Sequence, residues 1–311
     1  LIRAPAGTLV ATLGVQNLAI IAEADAILVC DLDRGQEVKG LVEQIRIRSP
    51  GHLDFPTVTP ETLAASGLRF ADWLRLRALP TWSTLGQAAT GQFAETLALD
   101  GRAGHEPHRA RVQTRQIFVF AQAGLMGWQG PWRHVVETGV ERLRDTFLRD
   151  DGLTRTLVGE TGVPLDDTAM LYDQAFVLLA LAAAHTTGHD GAAVEAKATR
   201  LRDALLRDAL PNGGFAEAGD HPYQANAHMH LLEACLAWEL AGGDAGWTRL
   251  ADRLVALAFE AFVDRDGGFL REFFTADWKP VEGEDGTLVE PGHQFEWAWL
   301  LTRYGRSRGD D

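Results

Sequence analysis

The chain has 311 residues, of which 46% are hydrophobic and 23% charged, a globular composition long enough for one large domain or two smaller ones. Its 43 acidic and 29 basic residues give a formal charge of −14, which disfavours a nucleic-acid partner because phosphate-binding surfaces carry clustered basic residues. No uncharged apolar segment reaches the ~18 residues of a membrane span and no signal peptide is recognisable, so we expect a cytoplasmic protein without a membrane partner.

The first residues read as a small α+β segment. The runs LVATLG, NLAIIA and AILVCD predict strands over residues 9–31, and an amphipathic helix over about Gln36–Ile45 follows. Cys30 and Cys235 lie in apolar runs, where a thiol usually packs as a small hydrophobe, so no disulfide is expected. The proline-containing stretch RIRSPGHLDFPTVTP lacks periodicity and predicts a linker with a boundary near residue 55.

The string TLGVQNLAIIAEADAILVCDLDRGQEVKGLVEQI resembles the tail of bacterial mannose-1-phosphate guanylyltransferases, in the region after their nucleotidyltransferase core. The glycine-rich nucleotide-binding start of that family is absent from this chain. The resemblance therefore implies a guanylyltransferase-like remnant over residues 1–50 that cannot transfer a guanylyl group by itself. Residues 56–311 are expected to form a separate domain.

Recurring glycine turns divide the chain beyond residue 60. The stretches GQFAE at Gly91, DGLTR at Asp151, GGFAE at Gly213 and GGFLRE at Gly267 follow one another at intervals of roughly sixty residues. Each interval holds one helix that is apolar on nearly all sides and one that is amphipathic. The repeat predicts helical hairpins, each with one buried and one solvent-facing helix.

The buried helices are predicted at QIFVFAQAGLMGW, AMLYDQAFVLLALAAAH, MHLLEACLAWEL and QFEWAWLL, and the amphipathic ones at WRHVVETGVERLRDTF, AAVEAKATRLRDALL and WTRLADRLVALAFEAF. This alternation indicates an all-α fold, an (α/α)6 toroid whose inner helices all run the same way, preceded by the small α+β segment. Because the helices are too few for a closed ring, the chain is expected to be truncated, at its C-terminus above all. The alternative is a shorter, open solenoid with a polar cap.

Polar residues gather near the predicted starts of the inner helices. If these helices are parallel, their N-terminal ends meet at one mouth of the ring, where free amide groups and aligned dipoles favour anions. A funnel lined by polar side chains follows. The predicted lining consists of Arg115, Asp173, Gln174, Asn226, His228, His230, Glu233, His293 and Glu296.

The stretch QANAHMHLLEACLAW places two histidines and a glutamate in the first turns of one such helix. His230 and Glu233 are three residues apart and share a helical face, so the carboxylate can orient the imidazole, whereas His228 points elsewhere. The spacing of HMH does not suit a helical zinc site and no HExxH motif is present, so no metal is expected. A satisfied core histidine is the alternative for each position.

The stretches NAHMHLLEACLAW and EPGHQFEWAWLL resemble the two signature stretches of the N-acylglucosamine 2-epimerase family of sugar epimerases and isomerases. The stretches LPTWSTLG, GQFAETLALDG, RVQTRQIFVFAQA and LYDQAFVLLALA extend the resemblance over roughly residues 62–304 and are most similar to the mannose-6-phosphate isomerase branch. The resemblance implies an (α/α)6 barrel and proton transfer next to a sugar carbonyl without a metal or other cofactor.

The resemblance also implies roles for individual residues. His230 and His293 match the two catalytic histidines of the family, Arg115 matches its characteristic arginine, and Glu233 matches the carboxylate partner of the first histidine. Substrate contacts are implied for Asn226, Trp82 and Glu95, and the funnel adds Asp173, Gln174 and Glu296 to the expected substrate-binding residues. Some family members have a histidine where this chain has Gln174, so ring opening of the sugar would use another group or water.

Aldose–ketose interconversion needs a base that moves a proton between C2 and C1 and a donor that stabilises the enediolate. An imidazole ordinarily titrates near pH 6.5, and a helix N-terminus disfavours its cation, so histidine supplies such a base at neutral pH. We therefore expect His293 as principal base, His230 with Glu233 as its partner, and Arg115 as the stabilising donor.

The expected substrate is a small sugar or sugar phosphate, with mannose 6-phosphate favoured because a fused guanylyltransferase-like tail often serves the same pathway. The basic stretch HRARVQTR over residues 108–115 is either a phosphate contact or a solvated face. Three alternatives stay open: a 2-epimerase of N-acylglucosamine or a disaccharide, a glycoside hydrolase that uses Asp167 and Glu296, and a nonenzymatic scaffold. A homodimer is also left open.

Overall fold

The computed structural model describes residues 1–23, 26–48, 62–188 and 190–309. These residues divide into two compact units, Leu1–Ala71 and Asp72–Asp311. The predicted boundary near residue 55 lies outside the described residues, so the domain limits 1–50 and 56–311 stay predictions. In the described parts of the chain, no helix combines the length and the apolarity needed to cross a membrane.

The first unit is built on a small sheet. Strand β2 pairs in parallel with β1 and in antiparallel fashion with β3, and Asp31 at the end of β3 accepts a hydrogen bond from the backbone NH of Asp33 to begin a 3-10 turn. Ala19, Ile20 and Ala22 are buried on this sheet. The elements are β1 (Ile2–Arg3), β2 (Leu18–Ala22), β3 (Ile27–Asp31), the 3-10 turn Leu32–Glu37 and α1 (Val38–Arg48).

The sequence predictions for this unit are partly confirmed. Strands β2 and β3 and helix α1 form where strands and a helix are predicted, although the helix begins two residues later than Gln36. The predicted strand in LVATLG is wrong: residues 9–14 form no strand, and Leu9 and Leu13 are almost fully exposed. An apolar run becomes a strand only when a neighbour supplies hydrogen-bond partners, and here β1 at residues 2–3 occupies the edge of β2 instead.

The second unit consists of helical hairpins. Four inner helices, α4, α6, α8 and α11, pack in succession on one another, and the outer helices α5, α7 and α9 each pack on an inner one. Helix α2 (Leu63–Trp73) lies mostly in the first unit and ends in the second. The other helices are α3 (Leu79–Leu85), α4 (Ala110–Leu125), α5 (Trp132–Thr146), α6 (Leu171–Thr186), α7 (Gly191–Arg207), α8 (Ala225–Leu240), α9 (Ala245–Leu257), α10 (Glu284–Thr287) and α11 (Pro291–Arg308), with π-helical turns at Leu74–Ala78 and Ala258–Phe262. Short strands are β4 (His108–Arg109), β5 (Leu157–Val158), β6 (Pro164–Asp166), β7 (Val263–Asp264) and β8 (Phe269–Leu270).

Burial follows the two kinds of helix expected from the repeat. Helix α6 is buried over nearly its whole length, whereas α5 buries one stripe through Val136, Val140 and Leu143. Burying a Val or Leu side chain stabilises a fold by about 1.5–3 kcal/mol, so the extensively buried inner helices α6 and α8 contribute strongly to the core. The prediction of one buried and one amphipathic helix is confirmed for the hairpins that contain α6 and α8. It is wrong for α11, in which only Trp297 and Leu300 are buried while Phe295 and Trp299 are 78% and 50% exposed, because among the described helices α11 packs mainly on α8.

A glycine turn precedes each inner helix, and a side chain of that helix forms hydrogen bonds with the backbone of the turn. These turn segments are residues 91–95, 152–156, 213–217 and 268–272. In three of them a glutamine of the following inner helix bonds both the NH and the carbonyl of one turn residue, and in the fourth a histidine replaces the glutamine. The pairs are Gln113 with Phe93, Gln174 with Thr154, Gln294 with Leu270, and His228 with Phe215.

The turn segments also tie neighbouring inner helices together at their starts. The carbonyl of Thr156 accepts a hydrogen bond from the NH of Ala110 in α4, and the carbonyl of Glu272 accepts one from Ala225 in α8. The Glu217 carboxylate accepts one from Leu171 in α6. Three of the four segments thus bind the start of one inner helix and are clamped by the next, so the inner helices begin at the same end. Their predicted parallel arrangement is confirmed.

Candidate active site

His230 lies on α8 against aromatic side chains of α6. Its ring centre is 5.0 Å from that of Tyr172, which it meets edge-on, and 4.5 Å from that of Phe176. Arg115 reaches the same place from α4, where its guanidinium donates to the Tyr172 hydroxyl at 2.6 Å and lies 4.1 Å from the centre of the Phe176 ring. Three consecutive inner helices therefore bring one imidazole and one guanidinium together around a tyrosine and a phenylalanine.

The imidazole of His230 is oriented by a carboxylate of its own helix. Nδ1 of His230 is 3.3 Å from Oε2 of Glu233, and both side chains are largely buried. A carboxylate beside Nδ1 places the proton of a neutral imidazole on that nitrogen, which leaves Nε2 free to accept a proton. The arrangement suits a general base or, once protonated, a general acid.

His293 near the start of α11 has the same kind of partner, supplied by another segment. Its Nδ1 is 2.9 Å from Oε2 of Glu272, whose side chain is only 4% exposed. The Glu272 backbone carbonyl binds the start of α8, the helix that carries His230. Sequence reasoning missed Glu272. The sequence does offer a signal for Glu272, because it ends the turn segment GGFLRE. Glu95 and Glu217 end the corresponding turn segments GQFAE and GGFAE.

Three residues that are predicted to contact substrate instead have buried side chains that bond other groups of the protein. Asp173 is fully buried, bonds the hydroxyl of Thr156 and pairs with Nε of Arg111 at 3.0 Å, and burial raises the pKa of its carboxyl above the usual range. Gln174 is fully buried in the clamp on Thr154. The predicted direct contacts of these two side chains are corrected, because neither side chain is exposed to a ligand.

Glu95 is the third such residue. Its carboxylate is 3% exposed, accepts from the NH of Arg109 at 2.8 Å and pairs with the Arg109 guanidinium at 2.7 Å. Arg109 is the residue that precedes α4, so Glu95 fixes the start of an inner helix. Its prediction as a substrate contact is corrected in the same way, and Arg109 is the more exposed member of the pair.

The remaining predicted residues are placed differently. Asn226 is half-buried near the start of α8, and its carbonyl oxygen has no hydrogen-bond partner among the described residues. Glu296 is exposed on α11 one turn beyond His293. Trp82, in α3, is half-buried and packs against the core and against Gly86, the residue that follows the helix. Of these, Asn226 shares a helix end with His230.

His228, two residues before His230, belongs to the interior. It is fully buried, its Nε2 accepts from the NH of Phe215 at 3.0 Å, and its Nδ1 is 2.8 Å from the carbonyl oxygen of Gln224. Burial lowers its pKa to about 4, so the ring is neutral in the folded protein. Gly214 has a positive φ of 72°, and a Cβ there would lie 2.8 Å from Nε2 of His228, so the turn requires glycine.

Replacing His228 with glutamine should make the fold less sensitive to acid. An unfolded histidine protonates near pH 6.5 and the folded one only near pH 4, so the folded state loses about 3 kcal/mol of stability as the pH falls between these values. Glutamine can fill the clamp as it does in three other helices, without this titration. We expect the unfolding free energy of His228→Gln to fall less than that of the wild type between pH 7 and pH 4.5.

The measurement is denaturant unfolding followed by tryptophan fluorescence, since all nine tryptophans lie in the second unit. His134→Asn, a change at an exposed position of α5, is the matched control and should keep the wild-type pH dependence. Equal pH dependence for His228→Gln and the wild type would contradict the assignment of a neutral, buried His228.

A ring of helical hairpins that brings carboxylate-bonded histidines and an arginine to the starts of its inner helices defines a helical-toroid protein equipped for acid–base chemistry. Residues 91–311 match the sequence profile of the N-acylglucosamine 2-epimerase (GlcNAc 2-epimerase) family. The chain belongs to this family. Residues 1–45 match the MannoseP isomerase/GMP-like beta-helix domain, in agreement with the resemblance of the first segment.

Known relatives support the same assignment. The chain is 41% identical over 247 residues to the mannose-6-phosphate isomerase of Rhizobium meliloti (strain 1021), an alignment that covers 77% of this chain and 64% of that protein. Among solved structures, the cellobiose 2-epimerase of Spirochaeta thermophila DSM 6192 superposes with a TM-score of 0.71 at 23% identity, covering 80% of this chain and 65% of that one. A D-mannose isomerase superposes with a TM-score of 0.66 at 23% identity, covering 82% and 66%.

These structural likenesses bear on the fold, and both belong to the predicted α/α barrel class. The chain spans about 64% of the length of the Rhizobium isomerase. In the described residues, no three His, Cys, Asp or Glu side chains are grouped so as to hold a metal ion. The expectation that no metal or other cofactor takes part stays a prediction.

Proposed function

We propose that the protein is an aldose–ketose isomerase that interconverts mannose 6-phosphate and fructose 6-phosphate, or the corresponding free sugars. The observation that carries the proposal is the pair of histidines on neighbouring inner helices, each with Nδ1 beside a carboxylate, at 3.3 Å for His230 and 2.9 Å for His293. The 41% identity to a mannose-6-phosphate isomerase supports the choice of sugar.

The reaction moves two protons. A base removes the proton from C2 of the aldose and returns it to C1, while a second group moves a proton from the C2 hydroxyl to the carbonyl oxygen on C1. An enediol or enediolate lies between these two halves of the reaction. A neutral imidazole that can take up and release a proton on Nε2 suits each task.

We assign the carbon-to-carbon transfer to His293. Its partner Glu272 is closer than Glu233 is to His230 and is less exposed, at 4% against 20% of the side chain. A charge interacts more strongly when it is shielded from water, so Glu272 better stabilises the imidazolium that forms when the C2 proton is taken up. His230 with Glu233 then moves the proton between the two oxygens.

Arg115 is assigned to the enediolate oxygen. Arg109 and Arg111 in the basic stretch pair with Glu95 and Asp173, whereas the Arg115 guanidinium bonds the neutral hydroxyl of Tyr172. Among the described residues Arg115 forms no salt bridge with a carboxylate, and such a guanidinium retains its attraction for the negative oxygen that develops in the transition state. Arg115 lies beside His230 through Tyr172 and Phe176, which supports a shared substrate.

A 2-epimerase is the second candidate, favoured by the presence of two separate imidazoles. In that reaction one histidine would remove the C2 proton and the other would return a proton to the opposite face of the same carbon. The hydrolase alternative loses support, because Asp167 is 66% exposed and pairs with Arg155, and Glu296 is exposed on α11. A cytoplasmic location and a homodimer stay predictions.

The proposal is tested by incubating the purified protein with mannose 6-phosphate or mannose in deuterium oxide and following the products by NMR. We expect the matching ketose to appear, with deuterium at the carbon that receives the transferred proton in a fraction set by exchange with solvent. Deuterated glucose 6-phosphate or glucose without ketose would instead identify a 2-epimerase. Unchanged mannose and mannose 6-phosphate, beside an active isomerase control, would reject the isomerase.

A further inference from the structure

We infer that Glu217 is a positioning residue, which holds Tyr172 in place for Arg115 and His230 by binding the first turn of α6. Glu217 lies in the turn segment 213–217, 45 residues after Tyr172 in the chain. The inference rests on the proposed function, because Arg115 and His230, which Tyr172 would align, are assigned to that reaction.

The contact is made by both carboxylate oxygens. Oε1 of Glu217 accepts from the NH of Leu171 at 2.7 Å, and Oε2 accepts from the NH of Tyr172 at 2.8 Å. The NH of Ala218 donates to Oε1 as well, at 2.7 Å. The residue is only 5% exposed. Three backbone donors therefore surround one buried carboxylate.

Helix α6 depends on this contact for its start. The first NH groups of a helix have no partner within the helix and are usually satisfied by the side chain of the preceding residue. In α6 that residue is Met170, which makes no side-chain cap. The carboxylate of Glu217 takes over this role from another hairpin and bonds the backbone of Tyr172 itself.

Tyr172 in turn contacts two of the three groups assigned to the proposed reaction, Arg115 and His230. Its hydroxyl accepts from Arg115 at 2.6 Å, and its ring stands edge-on to His230 at 5.0 Å. A small rotation of the first turn of α6 would move the hydroxyl away from Arg115. Misplacement by about 1 Å can cost on the order of 100-fold in rate even when the altered residue is remote from the chemistry.

Glu217→Gln is the discriminating variant. Glutamine keeps the size of the side chain but replaces one accepting oxygen by an NH2 group, which cannot accept from either backbone NH. We expect kcat to fall on the order of 30-fold while KM changes less than about 3-fold, because the loss affects alignment in the transition state. Asp244→Asn is the matched control, since Asp244 caps the outer helix α9 through the NH of Gly246.

A double-mutant cycle separates positioning from general stability. If Glu217 acts through Tyr172, the combined Glu217→Gln and Tyr172→Phe variant should be little slower than the slower single variant. The inference would be overturned if the fold losses of kcat in the two single variants multiplied in the double variant. It would also be overturned if kcat of Glu217→Gln were no lower than kcat of Asp244→Asn. Thermal unfolding of every variant accounts for the folded fraction.

A second readout does not need activity. The chain has three tyrosines, so protein labelled with 3-fluorotyrosine gives three fluorine NMR signals, and Tyr172→Phe identifies that of Tyr172. Glu217→Gln should shift the Tyr172 signal and leave that of Tyr304 unchanged. An unshifted Tyr172 signal overturns the inference, whereas a shifted signal in a protein inactive on all sugars supports it and rejects the proposed isomerase function.

Discussion

Replacing His293 with asparagine should lower kcat for the sugar interconversion by about 10³-fold and leave the fold intact. The asparagine amide can still donate to Glu272, as Nδ1 does at 2.9 Å, but nothing replaces Nε2 as the base. Glu272→Gln should give a smaller loss, on the order of 10²-fold, because the imidazole stays while the charge that stabilises its cation is removed. NMR product analysis under saturating substrate measures both.

His134→Asn is the matched control, because His134 is exposed on the outer helix α5. It should keep wild-type kcat and KM. Full activity in His293→Asn would rule out His293 as the base. A comparison with His230→Asn tests the separate roles assigned to the two histidines. In His230→Asn only the transfer between oxygens is slowed, so solvent deuterium should still enter carbon. In His293→Asn solvent deuterium should fail to enter carbon.

The helices and one of the two histidine pairs could be predicted because their signals are local. Apolar residues at helical spacing and the glycine turns fix the hairpins, and three-residue spacing brings His230 and Glu233 to one face of α8. Parallel inner helices follow from the repeat alone. Such features need only a period in the sequence and the geometry of a single helix.

The contacts that complete the site join distant segments and leave no local signal. Glu272 precedes His293 by 21 residues, and Glu217 follows Tyr172 by 45. Neither pairing can be read from spacing, because helices and turns of irregular length separate the two members of each pair. Comparing the turn segments with one another gives the nearest signal, since a carboxylate recurs in three of them at Glu95, Glu217 and Glu272.

The same comparison shows why Gln174 is buried in a backbone contact although its position also predicts a substrate contact. Its place at the start of an inner helix predicts that the side chain lines the funnel. Its amide instead bonds the backbone NH and carbonyl of Thr154, and Gln113 and Gln294 form the same bonds with their own turns. A buried backbone NH or carbonyl without a partner costs about 1–3 kcal/mol, so these amides are needed for the fold. A polar residue at a helix start can thus either line the site or bond buried backbone groups. Its position in the sequence does not distinguish these two roles.

Arg115→Met should lower kcat by about 10²–10³-fold, the second-largest effect expected for this site. The guanidinium lies over Phe176 and bonds Tyr172, so methionine can fill the apolar contact but removes the charge that we propose stabilises the enediolate. Because this negative charge exists in the transition state and not in the sugar, kcat should fall while KM changes little. Arg115→Lys should recover only part of the rate, since an ammonium lacks the planar fork of the guanidinium.

Arg133→Met is the matched control, because Arg133 also lies over an aromatic ring, that of Trp132 at 4.6 Å, but on the outer helix α5. It should retain wild-type kinetics. Assays with mannose and mannose 6-phosphate side by side distinguish two roles for Arg115. A loss of kcat with both sugars supports contact with the enediolate, whereas a rise in KM confined to the phosphorylated sugar would contradict it and assign the guanidinium to the phosphate.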